Sequence, residues 1–296
     1  MRHNKLSFID RNTAELRKSI IHLLRRSLLY LALLLLSVFT LLPFLWLIIS
    51  SLKPSTAIFS EIPRWIPRNV TLENYLWAFG PKGVDFLELF KNTLIVSSLS
   101  ALLSGTLSSL AAYGLSRFRF PGYRITGIFI LVFQMFTGPV VIVSWYNIAQ
   151  VFNIYDTYIV LILAYTAFTS PVITWLLRGY FQDIPEALEE AALVDGCNKL
   201  QALYHVVLPV AAPGLITSVL FAFVLSWNDY IYALSLAGKN AKTLQVGIGE
   251  LVGFFGQTQW GGVMASGVLT ALPVVIIFIF LQKRLVSGLT AGAVKE

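Results

Sequence analysis

Hydrophobic and polar positions in this chain segregate over stretches of whole helices rather than residue by residue. Six runs free of charged side chains are long enough to cross a bilayer as helices, which takes about 20 residues: Ser27–Leu52, Asn92–Ser116, Ile125–Tyr155, Thr157–Leu177, Val206–Asn228 and Leu251–Gln282. The pattern predicts an all-α integral membrane protein with six spans. The last run opens with "GFFGQTQWGG", so its spanning part is expected to start near Gly262, after a long loop over Ala237–Gly261. The first run lies behind 26 residues of charged sequence, exceeds the length of a signal-peptide core and lacks an A-x-A site. It is read as a retained helix.

Between the fourth and fifth runs the polar pattern changes character. Asp183 and Glu186 are spaced as a D-x-x-E capping box with Pro185 between them, which predicts a helix start. Leu188, Ala191, Ala192 and Val194 recur at helical spacing, with Glu189 and Glu190 at the edges of that face. Gly196 suits a left-handed C-cap because it carries no Cβ. Asn198 is placed to cap a second short helix through Leu200, Leu203, Tyr204 and Val207, with Pro209 as its stop. The segment is expected to form a helix–turn–helix knob, either a lever that docks another protein or an amphipathic connector resting on the bilayer.

Composition agrees with the pattern: 56% of residues are hydrophobic and only 12% charged, against about a quarter in soluble domains. Charge then orients the chain, since Lys and Arg favour cytoplasmic loops. With the N-terminus inside, fifteen of the 22 basic residues lie inside and seven outside. Both termini are therefore expected in the cytoplasm, and the net charge of +7 needs no nucleic-acid partner. The N-terminal arm 1–27 carries "TAELRKSIIHLLRR", with Leu16, Ile20, Leu23 and Leu24 on one face and Arg17, Lys18, Arg25 and Arg26 around it. It reads equally as an interfacial helix on anionic lipid or as a basic flank that fixes orientation. The six-helix body is assigned to 28–284, with an outer segment 53–90 and the cytoplasmic loop 183–209, and a C-terminal tail to 285–296. Cys197 is the single cysteine, and His3, His22 and His205 are scattered, so neither an intramolecular disulfide nor a metal site is expected.

The sequence of the loop carries a resemblance. Glu190-Ala191-Ala192, two residues, Asp195-Gly196, nine residues, then Val206-Val207-Leu208-Pro209 is similar to the E-A-A-x2-D-G-x9-[IV]-x-L-P signature of ABC importer permease subunits. At ordinary residue usage such a match arises by chance on the order of once in a million chains of this length or less. "YGLSRFRFPG" before the third run, "LSWNDYIYALSL" at the end of the fifth and the terminal "LVSGLTAGAVKE" resemble the MalG-like carbohydrate branch of that family. The resemblance implies a type I importer permease fold with a coupling helix pair. It implies that Glu190, Ala191, Ala192, Asp195, Gly196, Leu208 and Pro209 dock a separate ATPase dimer, and that the tail bearing Gly288 and Lys295 reaches towards that dimer. It further implies a second, homologous permease subunit, an extracytoplasmic substrate-binding protein, and a bacterial-type inner membrane. ATP and magnesium would be held by the ATPase. No phosphate-binding G-x-x-x-x-G-K-[ST] occurs here, and neither does G-x-S-x-G or H-E-x-x-H. This chain is accordingly expected to bind no cofactor and catalyse nothing itself.

Three features bear on a path for substrate. Trp227, Asn228, Asp229 and Tyr230 combine aromatic faces with hydrogen-bonding groups, and three readings stay open for them: lining a pore, contacting sugar directly, or sitting in the interfacial aromatic belt. In "FQMFTGPVV", Gln134 and Met135 precede Gly138 and Pro139, which either open the helix to a cavity or make a packing kink. The Pro- and Trp-rich outer segment predicts short surface helices that form a lid, a dock for a binding protein, or both. An ion-coupled transporter is the alternative class, but Asp229 alone is poor material for it and no inverted repeat is evident. Within the importer class an oligosaccharide, a polysaccharide, a disaccharide or glycerol phosphate remains open as cargo.

Overall fold

The computed structural model describes residues 3–58, 65–67, 69–80, 83–134, 138–253 and 258–291. In chain order the helices are α1 (His3–Ser51), α2 (Ser55–Ile58), α3 (Glu73–Phe79), α4 (Phe86–Arg117), α5 (Tyr123–Gln134), α6 (Gly138–Val151) and α7 (Tyr158–Gln182). After them come α8 (Glu186–Val194), α9 (Lys199–Ala202), a π-helical turn Leu203–Val207 and α10 (Leu208–Val210). The chain ends with α11 (Ala212–Trp227), α12 (Ile231–Leu236), α13 (Leu244–Gly253) and α14 (Trp260–Ala291). Among the described residues there is no strand.

Inside lipid, apolar surface gains little from being covered, so helices associate through close packing and interhelical hydrogen bonds. The centre of the bundle shows how this sequence meets that condition. Ser97, Ala101, Ser104, Ser108 and Ala112 run down one buried face of α4 at helical spacing and let α7 approach. Thr169 Oγ1 donates to Ser104 Oγ at 3.0 Å, and Ser108 Oγ donates to the Ser170 carbonyl at 3.0 Å. On its other side α4 meets α11 at Gly105, where a Cβ would come within 2.5 Å of Val219 Cγ2. Large side chains fill the ends of this three-helix core, with Phe181, Leu177 and Leu203 at one end and Trp227 against Phe90 and Phe223 at the other.

Among the described residues, four helices are long and apolar enough to cross a membrane: the His22–Ser51 part of α1, α4, α7 and the Trp260–Phe280 part of α14. In the third run α5 and α6 lie on either side of residues 135–137, which are outside the described residues. The fifth is bent by 83° between Lys199–Val210 and Ala212–Trp227. Pro209 and Pro213 flank that bend, and each lacks the N–H its turn of helix would use. The arm and the first span join as one helix of 49 residues, because no Gly or Pro interrupts the chain before Pro43. The expected boundary at residue 27 therefore falls within α1.

The end opposite the loop is stitched by side chains. Asn74 Nδ2 donates to the carbonyls of Ser51 and Lys53, both at 2.7 Å, and so satisfies acceptors left over at the end of α1. Asn92 on α4 accepts from Tyr158 at 2.6 Å and donates to the carbonyls of Asn240 and Lys242. Asp156 accepts from the backbone N–H groups of Gly238 at 2.7 Å and Ala241 at 2.9 Å, and from both the N–H and the side chain of Asn240. Gly238 is required there, since a Cβ would lie 2.9 Å from the carboxylate.

Burial by itself would raise the Asp156 pKa, but these hydrogen bonds outweigh it and hold the carboxyl below the usual range. A depressed folded-state pKa stabilises the clasp above the ordinary carboxylate value of about 3.9, and that contribution disappears as pH falls through the lowered one. Amide exchange at Gly238, Asn240 and Ala241, corrected for intrinsic rates, should keep its protection from neutral pH down to about 4 and lose it below. Protection lost already near pH 6 would contradict this account of the clasp.

Candidate functional site

The loop between α7 and α11 folds as a capped pair of short helices at an end of the core. α8 begins after Pro185, whose ψ of 131° is extended, and no side chain caps it. The predicted Asp183–Glu186 capping box does not form. Proline disfavours helical geometry at the preceding Ile184, and Asp183 instead closes α7, its N–H donating to the Gly179 carbonyl at 3.3 Å. The far end of α8 follows its sequence closely. Gly196 sits at φ +91°, its N–H donates to Leu193 O at 3.1 Å, and the Cys197 N–H donates to Ala192 O at 3.0 Å. These two bonds make a Schellman motif. Asn198 and Gln201 then form a reciprocal capping box at 2.8 and 2.9 Å that starts α9.

The second helix passes Pro209 and turns at Ala211, two residues later than the sequence predicts. It widens to π geometry over Leu203–Val207 just before the proline. A widened turn relaxes the ladder next to a residue that cannot donate.

The signature residues divide by direction. Ala192 is buried against the bundle, while Glu190, Ala191, Asp195, Gly196 and Pro209 are exposed and Leu208 is half-buried. Apolar side chains share the exposed surface: Val194 is 86% exposed, and Leu188, Leu200 and Tyr204 are exposed too. Exposed apolar groups clustered with acidic ones around a rigid turn make a surface suited to docking a protein.

Glu189 turns the other way and is 8% exposed. Tyr113 of α4 donates to its Oε2 at 3.0 Å, and Arg117 Nε donates to its Oε1. Arg117 also donates from Nη2 to the Ile184 carbonyl at 2.9 Å, and the Lys199 carbonyl lies 3.4 Å from the Tyr113 hydroxyl. A cavity of about 120 Å³ opens over this cluster, rimmed by Glu186, Glu190 and Lys199. By its spacing alone Glu189 belongs at the edge of the apolar face of α8. Its partner Arg117 is 72 residues away, so local spacing carries no sign of the pair. The available clue was Ala192, since i and i+3 share a helical face.

The four residues considered for a substrate path do not converge. Trp227 is 1% exposed, with Phe223 stacked on it at 5.4 Å and Phe90 edge-on at 5.7 Å. Asn228 is exposed and its side chain donates back to the Val224 carbonyl at 2.9 Å. Asp229 Oδ1 accepts from the Tyr232 N–H at 3.0 Å and the Ala233 N–H at 3.3 Å, which satisfies the start of α12. Tyr230 is 39% exposed and packs where Gly249 leaves room. Gln134 ends α5, Gly288 lies in the last turns of α14, and Met135 and Lys295 lie outside the described residues.

Residues 104–291 match the family model described as binding-protein-dependent transport system inner membrane component. The chain is 37% identical over 269 residues to the inner membrane ABC transporter permease protein YcjP of Escherichia coli, covering 90% of this chain and 95% of that one. It is 35% identical over 278 residues to the trehalose/maltose transport system permease protein MalG of Thermococcus litoralis, covering 92% and 98%. Among solved structures, a bacterial ABC transporter involved in import of the acidic polysaccharide alginate superposes with a TM-score of 0.74 at 23% identity, over 86% of this chain and 93% of that one. This last likeness concerns the fold.

Proposed function

Since the chain belongs to the inner membrane components of binding-protein-dependent transport systems, we propose that its knob is the dock for the ATPase of a carbohydrate importer. The chain is a multi-pass permease subunit and catalyses no reaction itself. The observation that carries the reading is the segment Glu190–Pro209: the signature residues lie on a capped, outward-facing helix pair whose core side is fixed to the bundle. Such a pair transmits force because the Schellman motif that ends α8 and the capping box that starts α9 hold the turn between them.

In this reading the importer has two permease subunits, of which this chain forms one half of the path, together with an ATPase dimer and an extracytoplasmic binding protein. Six spans arise when α5 and α6 count as one broken span and α11 as another. Both termini and the knob then face the cytoplasm of a bacterial-type cell, and the tail with Gly288 and Lys295 points towards the ATPase, which supplies the ATP and magnesium sites. Relatives named for trehalose/maltose transport and diacetylchitobiose uptake favour an oligosaccharide as cargo. For the path we assign Asn228 and Tyr230, which are exposed, and Gln134, which is half-buried, with Asp229 fixing the backbone beside the first two and Trp227 bracing the wall.

The orientation is tested with the chain's own thiol. Cys197 is partly exposed beside the Gly196 turn. A membrane-impermeant maleimide should label it in inside-out vesicles and not in intact cells, and bound ATPase should slow the reaction. Labelling from outside intact cells would overturn the topology.

A further inference from the structure

Glu189 and Glu190 are neighbours with opposite duties. A helix turns about 100° per residue, so when Glu190 faces outward its neighbour is carried towards α4. There the carboxylate meets Tyr113 and Arg117, and both the arginine and glutamate side chains are nearly buried, at 8% and 11% exposure. The guanidinium is shared among separate pieces of the knob: Glu189 of α8, the Ile184 carbonyl of the segment leading into it, and Glu186 at 4.0 Å. Tyr113 adds the start of α9 through the nearby Lys199 carbonyl, while Lys199 itself lies over the Phe118 ring at 4.5 Å. Thus α4 touches each part of the knob although no covalent connection joins them.

The covalent connections are poorer levers. The knob meets α7 through the extended Ile184–Pro185 step and α11 through the 83° bend at Ala211, next to a π turn. Bent joints and π turns yield under load more readily than continuous helix. α4 by contrast is unbroken over 32 residues and packs along both α7 and α11 in the core.

We propose that Arg117 and Tyr113, acting through Glu189, are positioning residues that make α4 the helix by which movement of the knob reaches the bundle. A buried ion pair adds little net stability over an apolar contact, but it fixes geometry. The planar guanidinium fork can hold several acceptors at once, which an ammonium cannot. The proposal rests on the reading of the knob as the ATPase dock.

The test uses the assembled complex of this chain, its partner permease and the ATPase in vesicles. The quantity read is the ratio of ATP hydrolysis with substrate-loaded binding protein to hydrolysis without it, per assembled complex. Glu189→Gln and Arg117→Met should lower that ratio by about threefold or more, towards the value of one at which loaded binding protein no longer stimulates hydrolysis. Arg117→Lys should retain more of it than Arg117→Met, and Tyr113→Phe, which removes one oxygen and leaves the ion pair, should show the smallest loss. A merely structural role would change the yield of complex without changing this ratio. Ratios within about twofold of wild type for both Glu189→Gln and Arg117→Met would overturn the proposal. So would failure of all four variants to assemble while the isolated chain keeps its melting temperature, because the cluster would then build the dock rather than transmit its motion. If the wild-type complex itself shows no stimulation, the reading of the knob as a dock fails.

Discussion

Gly196→Pro should leave the chain in the membrane at normal abundance while weakening its association with the ATPase and uncoupling hydrolysis from transport. Residue 196 holds φ at +91°, whereas proline fixes φ near −65°. Proline also removes the N–H that donates to Leu193 O at 3.1 Å, so the Schellman motif closing α8 loses one of its two bonds. Forcing a side chain into this region costs of order 1–3 kcal/mol. Gly196→Val should fail in the same direction, and Gly196→Asn should be much milder because asparagine tolerates left-handed backbone. Nothing lies within 4 Å of a Cβ built there, so the graded outcome isolates backbone conformation from crowding. The turn lies outside every apolar run, the next of which begins at Val206, and insertion depends on those runs. Pull-down of the ATPase, normalised to membrane abundance, checks the prediction. Wild-type retention by Gly196→Pro would count against any role for the turn in docking.

The second large effect is expected at the other end of the bundle. A Cβ on Gly262 would come within 2.1 Å of the Trp77 ring, and one on Gly261 within 2.2 Å of Asn74 Oδ1. The start of α14 thus presses against α3, whose Asn74 holds the end of α1 through two carbonyls. Gly262→Val should push α3 away and destabilise this end of the bundle by about 1–3 kcal/mol, the usual cost of overpacking. The purified protein should melt at a lower temperature, yet it should still bind the ATPase, because the knob lies beyond the opposite ends of these helices. An unchanged melting temperature would show that α3 yields freely, and lost ATPase binding would show that the two ends are not independent.

Local chemistry made much of the knob legible. A positive-φ turn calls for Gly196, and a capping box for Asn198 and Gln201, so the sequence marks these places within a few residues. Long apolar runs similarly marked α1, α4, α7 and α14, since a bilayer demands length and apolarity of each helix separately. Interruptions within such runs were less visible. The bend at Ala211 comes from two prolines acting together with the bundle packed beneath them, and hydropathy passes over both. Asp183 shows one local rule overriding another: its spacing to Glu186 suits a cap, but Pro185 assigns it to the preceding helix. Asp229 drew attention as an acid near the membrane, and its carboxylate is engaged by the N–H groups of Tyr232 and Ala233. The Glu189–Arg117 pair was invisible because contacts between residues so far apart leave no mark in a single sequence.

The central claim is that this permease couples an external binding protein to an internal ATPase through the Glu190–Pro209 knob. Its most direct test is ATP hydrolysis by the full complex in vesicles, measured with the substrate-loaded binding protein outside. The account predicts that loaded binding protein stimulates hydrolysis several-fold over the basal rate, and that Gly196→Pro abolishes the stimulation. Equal hydrolysis with and without the loaded binding protein, in a wild-type complex that takes up sugar, would contradict it.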